Sequence, residues 1–277
     1  MERFYIITNR LKDRDYRLTE EIRAYIEEHG KKSILSEKDE LGHILPGSVP
    51  EDAQCALVLG GDGTLIRAAR ELGGYNIPLL GINLGTLGYL AEVELKDFKE
   101  ALDQLFEGTP HIEERMMLSG TVESVVEDVA LNDIVLTRDG GLRVVKFNVY
   151  VNGTLLNTYL ADGIIISTPT GTTGYNLSAG GPIVEPTASM FVITPICSHA
   201  LNTSSIVLSS EDTIEVEICE GRYGREEHVL LNFDGTDGIP LVTGHKVCIR
   251  KAKETTRLIK LSQESFMKTM RKKMKGN

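Results

Sequence analysis

The residues whose types and spacing point most directly to chemistry are Gly60-Gly61-Asp62-Gly63-Thr64. They stand between an apolar run, Cys55 to Leu59, and a helical pattern, Leu65 to Leu72. A strand therefore runs into a glycine turn that carries one carboxylate and opens a helix. Glycines let backbone N–H groups approach a ligand closely, and a helix N-terminus favours anionic groups. That arrangement suits a phosphate. The lysine and the spacing of G-x-x-x-x-G-K-[ST] are missing, so this is not an ordinary P-loop. A carboxylate aimed at a phosphate site is electrostatically costly unless it handles a proton or accompanies a metal ion.

A second cluster runs from Ala161-Asp162-Gly163 through Ile164-Ile165-Ile166 and Ser167 to Pro182. Six of the fourteen residues from Thr168 to Gly181 are Ser, Thr or Tyr and four are Gly, so a buried strand ends in a dense set of hydroxyls and small residues. Such a surface suits ribose hydroxyls, phosphate oxygens or an amide; a loop held by its own hydroxyls is the alternative. Asn132-Asp133, just before the apolar Ile134-Val135-Leu136, suits an adenine edge or a ribose diol and equally a turn cap.

The elements that must position these groups change character along the chain. Up to residue 110, apolar runs alternate with helical patterns. Phe4–Thr8, Ser33–Leu35, Cys55–Leu59 and Pro78–Asn83 read as strands. Leu18, Ile22, Tyr25 and Ile26 mark one helix, ended by Gly30, and Phe98, Ala101, Leu102 and Leu105 mark another within Asp97–Phe106. Strands alternating with helices imply a parallel sheet with ligands at the C-terminal strand ends. After Gly108-Thr109-Pro110 short strands dominate. Phe147–Val151 and Leu155–Tyr159 flank Asn152-Gly153, a two-residue hairpin signal. Thr213–Ile218 alternates strictly, and Val229–Phe233, Lys246–Ile249 and Arg257–Leu261 read as further strands. The expectation is an α/β domain over 1–110, an all-β sandwich-like domain over 111–261 and a basic tail helix over 262–277.

Composition sets outer limits. The 277 residues are 41% hydrophobic and 25% charged, with a net charge of −10. An acidic chain is a poor general nucleic-acid binder, since phosphate backbones need a basic surface. From Lys246 onward there are eleven Lys or Arg against Glu254 and Glu264, so the tail carries +9 and the remainder −19. The four cysteines are scattered without a C-x-x-C pair, which fits free thiols in a reducing cytoplasm. No apolar run approaches the roughly 20 residues that span a bilayer, so no membrane partner is expected. The histidines form no ligand cluster, Cys197-x-His199 lacks further ligands, and Ser167 lacks a G-x-S-x-G elbow.

Taken in order, Gly60–Thr64, Gly81-Ile82-Asn83-x-Gly85-x-Leu87-Gly88-Tyr89-Leu90, Asn132-Asp133, and Asp162-Gly163 through Pro182 resemble the NAD kinase family in its bacterial form. The first motif is shared with diacylglycerol kinases and 6-phosphofructokinases; the Thr168–Pro182 stretch is specific. The resemblance implies a Rossmann-like N-terminal domain, a β-sandwich-like C-terminal domain, a site in the crevice between them, and homodimers or homotetramers in which one subunit completes another's site. It implies transfer of the ATP γ-phosphoryl group to the adenosine-ribose 2′-hydroxyl of NAD, with a divalent cation such as Mg²⁺ accompanying ATP.

By position, the resemblance makes Asp62 the general base and sets Gly60, Gly61 and Gly63 beside phosphates, with Arg67 in reach of them. Asn132 and Asp133 would bind the adenosine or its ribose. Asp162 would meet the nicotinamide-side ribose or amide. Thr172, Thr173, Gly174, Tyr175, Asn176, Leu177 and Ser178 would wrap the dinucleotide. Arg143 and Thr236 stand where some members place ligand contacts. Three departures are visible: Asp133 in place of the usual Glu, Gly174 in place of a common Ala, and Ser198 in place of a frequent Pro. A non-catalytic dinucleotide sensor is the rival of another class, and it would not require Asp62.

Overall fold

The computed structural model describes residues 1–45, 47–85, 88–141, 143–200, 204–261 and 266–274, the last three as backbone only. By contacts the chain divides into two units, Met1–Glu114 with Thr255–Asn277, and Arg115–Glu254. The sequence reading placed these boundaries after residues 110 and 261. The difference at the second lies in residues 255–260, whose Leu258 pairs in parallel with Leu79.

In the first unit β1 (Arg3–Thr8), α1 (Arg17–Glu28), β2 (Lys32–Leu35), β3 (Cys55–Gly60), α2 (Asp62–Glu71), β4 (Leu79–Asn83), β5 (Val93–Glu94) and α3 (Phe98–Glu107) follow in order. The strands pair in parallel in the order β4-β3-β1-β2, with β5 beside β4. Both faces of the sheet are covered, which is why β3 is buried at every position. On one face Ile22 and Ile26 of α1 and Phe98, Ala101, Leu102 and Leu105 of α3 pack on Phe4, Ile6, Leu57 and Leu80. Each large apolar side chain so buried contributes roughly 1.5–3 kcal/mol. Leu65 of α2 lies over Gly81, where an added Cβ would stand 2.5 Å from its Cδ1. The expected helices and strands of this unit are present. Helix α2 starts at Asp62 rather than at the first apolar residue, Leu65, because Gly61 takes an extended conformation and caps it. The motif is thus the helix's own first turn.

Topology directs attention to one end of this sheet. From β1 the chain crosses to β2 on one side, then returns to β3 on the other. The C-terminal ends of β1 and β3 therefore flank a topological switch point, the place where open α/β sheets bind ligands.

The second unit contains β6 (His111–Val122, from Arg115 on), β7 (Val126–Ala130), β8 (Asp133–Arg138), β9 (Val145–Val151), β10 (Thr154–Ala161), β11 (Gly163–Ser167), the one-turn α4 (Tyr175–Ser178), β12 (Met190–Ile196), β13 (Ile206–Ser209), β14 (Ile214–Ile218), β15 (His228–Phe233), β16 (Ile239–Val242) and β17 (Lys246–Lys260, to Glu254). One antiparallel sheet runs β10-β9-β14-β17 and continues through β6 to β7; the other runs β13-β12-β11-β8-β15-β16. Phe147 and Val216 of the first and Ile164, Phe191 and Phe233 of the second share one buried core. This is the expected sandwich. The hairpin turn is as read, with Asn152 and Gly153 both at positive φ (50° and 77°). One expectation fails: Lys246–Ile249 and Arg257–Leu261 are a single strand, β17, whose charged middle carries buried Ala252 and Thr256 as its inward positions. The tail forms α5 (Phe266–Met274), while residues 262–265 and 275–277 of the expected helix lie outside those described.

Candidate active site

In the first unit β3 delivers Gly60 to the switch point, and the chain turns at once into α2. An added Cβ on Gly60 would lie 2.3 Å from Thr64 Oγ1, so only glycine lets the first turn fold back on the strand. Thr64 Oγ1 in turn accepts a hydrogen bond from Asn9 Nδ2 (3.0 Å), tying the helix start to the loop after β1. Asp62 is the half-buried first helical residue. Its Oδ2 accepts the Tyr89 N–H (2.6 Å), and its Oδ1 accepts those of Leu90 (3.1 Å) and Ala91 (3.2 Å). Gly88 permits this approach, since a Cβ there would stand 1.9 Å from Oδ1. A carboxylate offers about four lone-pair sites, so among the described residues one on Oδ2 is left open. The carboxylate is fixed in direction while keeping a vacancy for a proton.

The surroundings of the motif are cationic. Lys12 Nζ would lie 3.2 Å from a Cβ on Gly61 and 3.1 Å from one on Gly85, so an ammonium stands over the glycine turn. Sequence reasoning missed it because Lys12 sits in a polar loop with no motif of its own. A Cβ on Gly63 would meet open space, which leaves room for a ligand at the exposed side of the turn. Arg67 lies one turn on, pairing with Glu71 (Nε to Oε1, 2.9 Å).

In the second unit the chain between β7 and β8 and the loop after β11 meet. Thr168 N–H donates to Asn132 O (2.8 Å), and Thr168 Oγ1 donates to Leu131 O (2.6 Å). A Cβ on Gly171 would lie 2.1 Å from Asn132 O, so that position accepts glycine alone. Asp234, at φ 53°, clamps the segment by accepting N–H groups from Leu131 (2.7 Å), Asn132 (2.7 Å) and Asp133 (3.1 Å). Asp234 was not singled out in the sequence, where it is separated from its partners by about a hundred positions. Asn132 Oδ1 is buried and has no hydrogen-bond partner among the described residues. A buried acceptor left without a donor is a natural docking point for an N–H group.

The loop residues divide by exposure. Tyr175, Leu177 and Ser178 are exposed on α4, Thr173 and Gly174 are half-buried, and Thr172 and Asn176 are fully buried. Thr172 Oγ1 donates to Pro169 O (2.6 Å) and accepts from Val184 N–H (3.0 Å). Asn176 bonds Thr172 O (3.2 Å), Pro182 O (2.9 Å) and Thr194 Oγ1 (2.7 Å). These two hold the loop's shape from within. Thr236 is exposed and lies next to the clamp, its N–H bonded to Phe233 O (3.1 Å).

Asp162 stands apart from this group. It precedes β11, whose Gly163 pairs with Thr137 while Ser167 pairs with Asp133. Asp162 and Asn132 therefore sit at opposite ends of the same strands, roughly 15–20 Å apart. Arg138 Nε meets Asp162 Oδ1 at 3.0 Å and forms a second polar patch there. Arg143 is exposed, its N–H bonded to Gly141 O (2.7 Å), and Leu142 beside it lies outside the described residues. Among the described residues no group of three or more His, Cys, Asp or Glu is assembled for a metal ion.

Burial, and next the neighbouring Asp234 charge, raise the Asp133 carboxyl to about 7. This makes a stability prediction whose sign follows from the folded state holding a proton that the unfolded chain has released. From an ordinary value near 3.8 up to about 7, stability falls as pH rises, and above that the loss is complete. Asp133→Asn removes the dependence. Urea unfolding followed by circular dichroism is expected to show the variant gaining about 2–3 kcal/mol on the parent between pH 5 and pH 8. A stability difference that does not change over that range would refute the buried-acid assignment.

Comparison with known proteins now adds to this geometry. Residues 9–109 match the ATP-NAD kinase N-terminal domain, and residues 131–261 match the ATP-NAD kinase C-terminal domain. The NAD kinase of Agathobacter rectalis is 47% identical over 282 residues, covering 100% of this chain and 99% of its own. That of Lachnoclostridium phytofermentans is 43% identical over 281 residues, covering 99% of each. Among solved structures, yeast NADH kinase complexed with NADH shares the fold at a TM-score of 0.87 and 21% identity, over 100% of this chain and 88% of that one. An Archaeoglobus fulgidus NAD kinase in complex with ATP does so at 0.78 and 23%, over 99% of this chain and 98% of that one. With both domain models matched in order and close relatives aligned end to end, the chain belongs to the NAD kinase family.

Proposed function

We propose that the protein transfers the γ-phosphoryl group of ATP to the 2′-hydroxyl of the adenosine ribose of NAD, giving NADP and ADP. The observation that carries this is Asp62: a carboxylate at the first turn of α2, held by three backbone N–H groups with one acceptor position left. Phosphoryl transfer passes through a loose transition state, so catalysis is mainly positioning and charge neutralisation. Asp62 orients the ribose hydroxyl and takes its proton as the new O–P bond forms and the bond to the β-phosphate oxygen breaks. Lys12 and the glycine turn face the phosphates. Asn132 receives the adenine amino group at its buried Oδ1, and Asp133 and the 173–178 loop hold the rest of the adenosine and the dinucleotide.

The divalent cation is assigned to the ATP phosphates rather than to a protein cage, where it would neutralise phosphate charge. A strand-length separation between Asp162 and Asn132 supports a dinucleotide stretched over both patches, or patches used by different copies of the chain. The edge strand β10 exposes Leu155, Leu156 and Leu160, which supports self-association as a homodimer or homotetramer. No helix among the described residues is long and apolar enough to cross a membrane, and we assign the protein to the cytoplasm. Incubating the pure protein with NAD, ATP and Mg²⁺ is expected to yield NADP and ADP in equal amounts. Tight NAD binding without NADP would instead establish the sensor reading.

A further inference from the structure

The three amides that fix the Asp62 carboxylate lie in the segment 89–91, which leads through Glu92 into β5. That strand is two residues long, with Val93 paired to Ile82 and Glu94 to Asn83 of β4. A ladder of two residue pairs is a weak anchor by itself.

A second element meets the chain here. Strand β3 occupies one edge of β4, and β17 and β5 share the other. The parallel pairing of Leu258 with Leu79 sets Lys260 level with Gly81. At that level the edge passes from one strand to the other. The Glu92 N–H donates to Gly81 O (3.1 Å), and a Cβ on Gly81 would stand 2.9 Å from Ala91 Cα. Lys260 Nζ donates to Glu92 Oε2 across this junction. The Glu92 side chain is 7% exposed and that of Lys260 23%, so the pair is largely out of water, where one charge without the other is costly. Two residues on, Lys96 and Glu94 form an ion pair of the ordinary surface kind, 71% and 50% exposed.

We propose that Lys260 and Glu92 are positioning residues for the base of the phosphoryl transfer. Their ion pair fastens the segment 89–91 to the end of β17, and through its amides it sets the aim of the Asp62 carboxylate. The assignment rests on Asp62 being that base. Neither side chain touches a substrate in this role. A lysine from near the C-terminal end of the sequence thereby acts on a motif almost two hundred residues earlier, through one carboxylate and three amides.

The test uses Glu92→Gln, Lys260→Met, their combination and Lys260→Arg, with Lys96→Met as the control. In each of the first two, kcat for NADP formation should fall roughly tenfold to a hundredfold, as for a base displaced by up to an ångström, with the KM values for NAD and ATP within about threefold of the parent. The double variant should match the single ones instead of multiplying their losses, because both residues act through one contact. Each single variant leaves the other charge without this counter-ion, whereas the double variant does not, so its turnover reads the aim of Asp62 free of that cost. Lys260→Arg keeps the charge and should recover most of the turnover, and Lys96→Met should behave like the parent. Hydrogen exchange reads the anchor without activity: in Lys260→Met the Leu90 and Ala91 amides should exchange roughly tenfold faster or more, while those of β3 stay as in the parent. Unchanged kcat in both single variants, losses that multiply in the double variant, or faster exchange shared equally by β3 overturns the proposal. A parent protein that forms no NADP defeats the kinase reading instead, and the exchange of Leu90 and Ala91 still decides whether the ion pair holds them.

Discussion

Replacing Asp62 by Asn is expected to lower kcat for NADP formation by roughly 10²–10⁴, the range of a lost general base, while NAD binding stays within a few-fold. The side chain keeps its size, so the first turn of α2 and its glycine cap are preserved. What changes is charge and hydrogen-bond sense. An Asn oxygen can still accept the Leu90 and Ala91 N–H groups, but its NH₂ would point where the Tyr89 N–H also donates. One lost hydrogen bond of this kind costs about 1–3 kcal/mol, and the melting temperature should fall by several degrees. The fall in kcat must therefore be measured below that melting temperature, alongside NAD affinity by calorimetry. Parent-like turnover by a folded Asp62→Asn protein would remove Asp62 from the chemistry.

The same residue shows what a linear sequence reveals and what it hides. The buried strand before the motif and the helix after it follow from local pattern: six consecutive buried residues in β3, then Leu65, Ala68 and Ala69 on one side of α2. Periodicity begins with apolar residues, so it could not see that Asp62, Gly63 and Thr64 already form the first helical turn. Proline conceals strands in the second unit. Pro195 lies within β12 and Pro240 within β16, each at a place where the missing N–H argues against a strand. Charge concealed the middle of β17, whose outward positions are ionic while small Ala252 and Thr256 face inward.

Long-range contacts are least legible of all. The acceptor clamp of Asp234 reaches back to residues 131–133, and the Lys12 ammonium reaches Gly61 and Gly85, with no local signal at either position. The loop from Thr168 to Pro182 was legible as a polar surface, yet not as two populations. Thr172 and Asn176 face inward and fix its shape, whereas Tyr175, Leu177 and Ser178 face solvent. Residue type alone does not distinguish a hydroxyl that holds a loop from one that meets a ligand.

Gly171→Ala is the other substitution with a large expected effect, because the obstacle is backbone. The added methyl would stand 2.1 Å from Asn132 O, 2.5 Å from its carbonyl carbon and 2.7 Å from its Cα. No rotamer change relieves that contact, so the 131–133 segment must move. Movement breaks the Thr168 N–H bond to Asn132 O and pulls against the three amides on Asp234. A cost of about 3 kcal/mol is expected, lowering the melting temperature by roughly 6–12 °C. The KM for NAD should rise as Asn132 Oδ1 is displaced. Gly141→Ala is the matched control: a Cβ there meets nothing within 4 Å, so the same methyl should leave the melting temperature nearly unchanged. If Gly171→Ala melts like Gly141→Ala, the close approach of the loop to Asn132 is not part of the folded protein. If it melts early but binds NAD normally, Asn132 does not hold the dinucleotide.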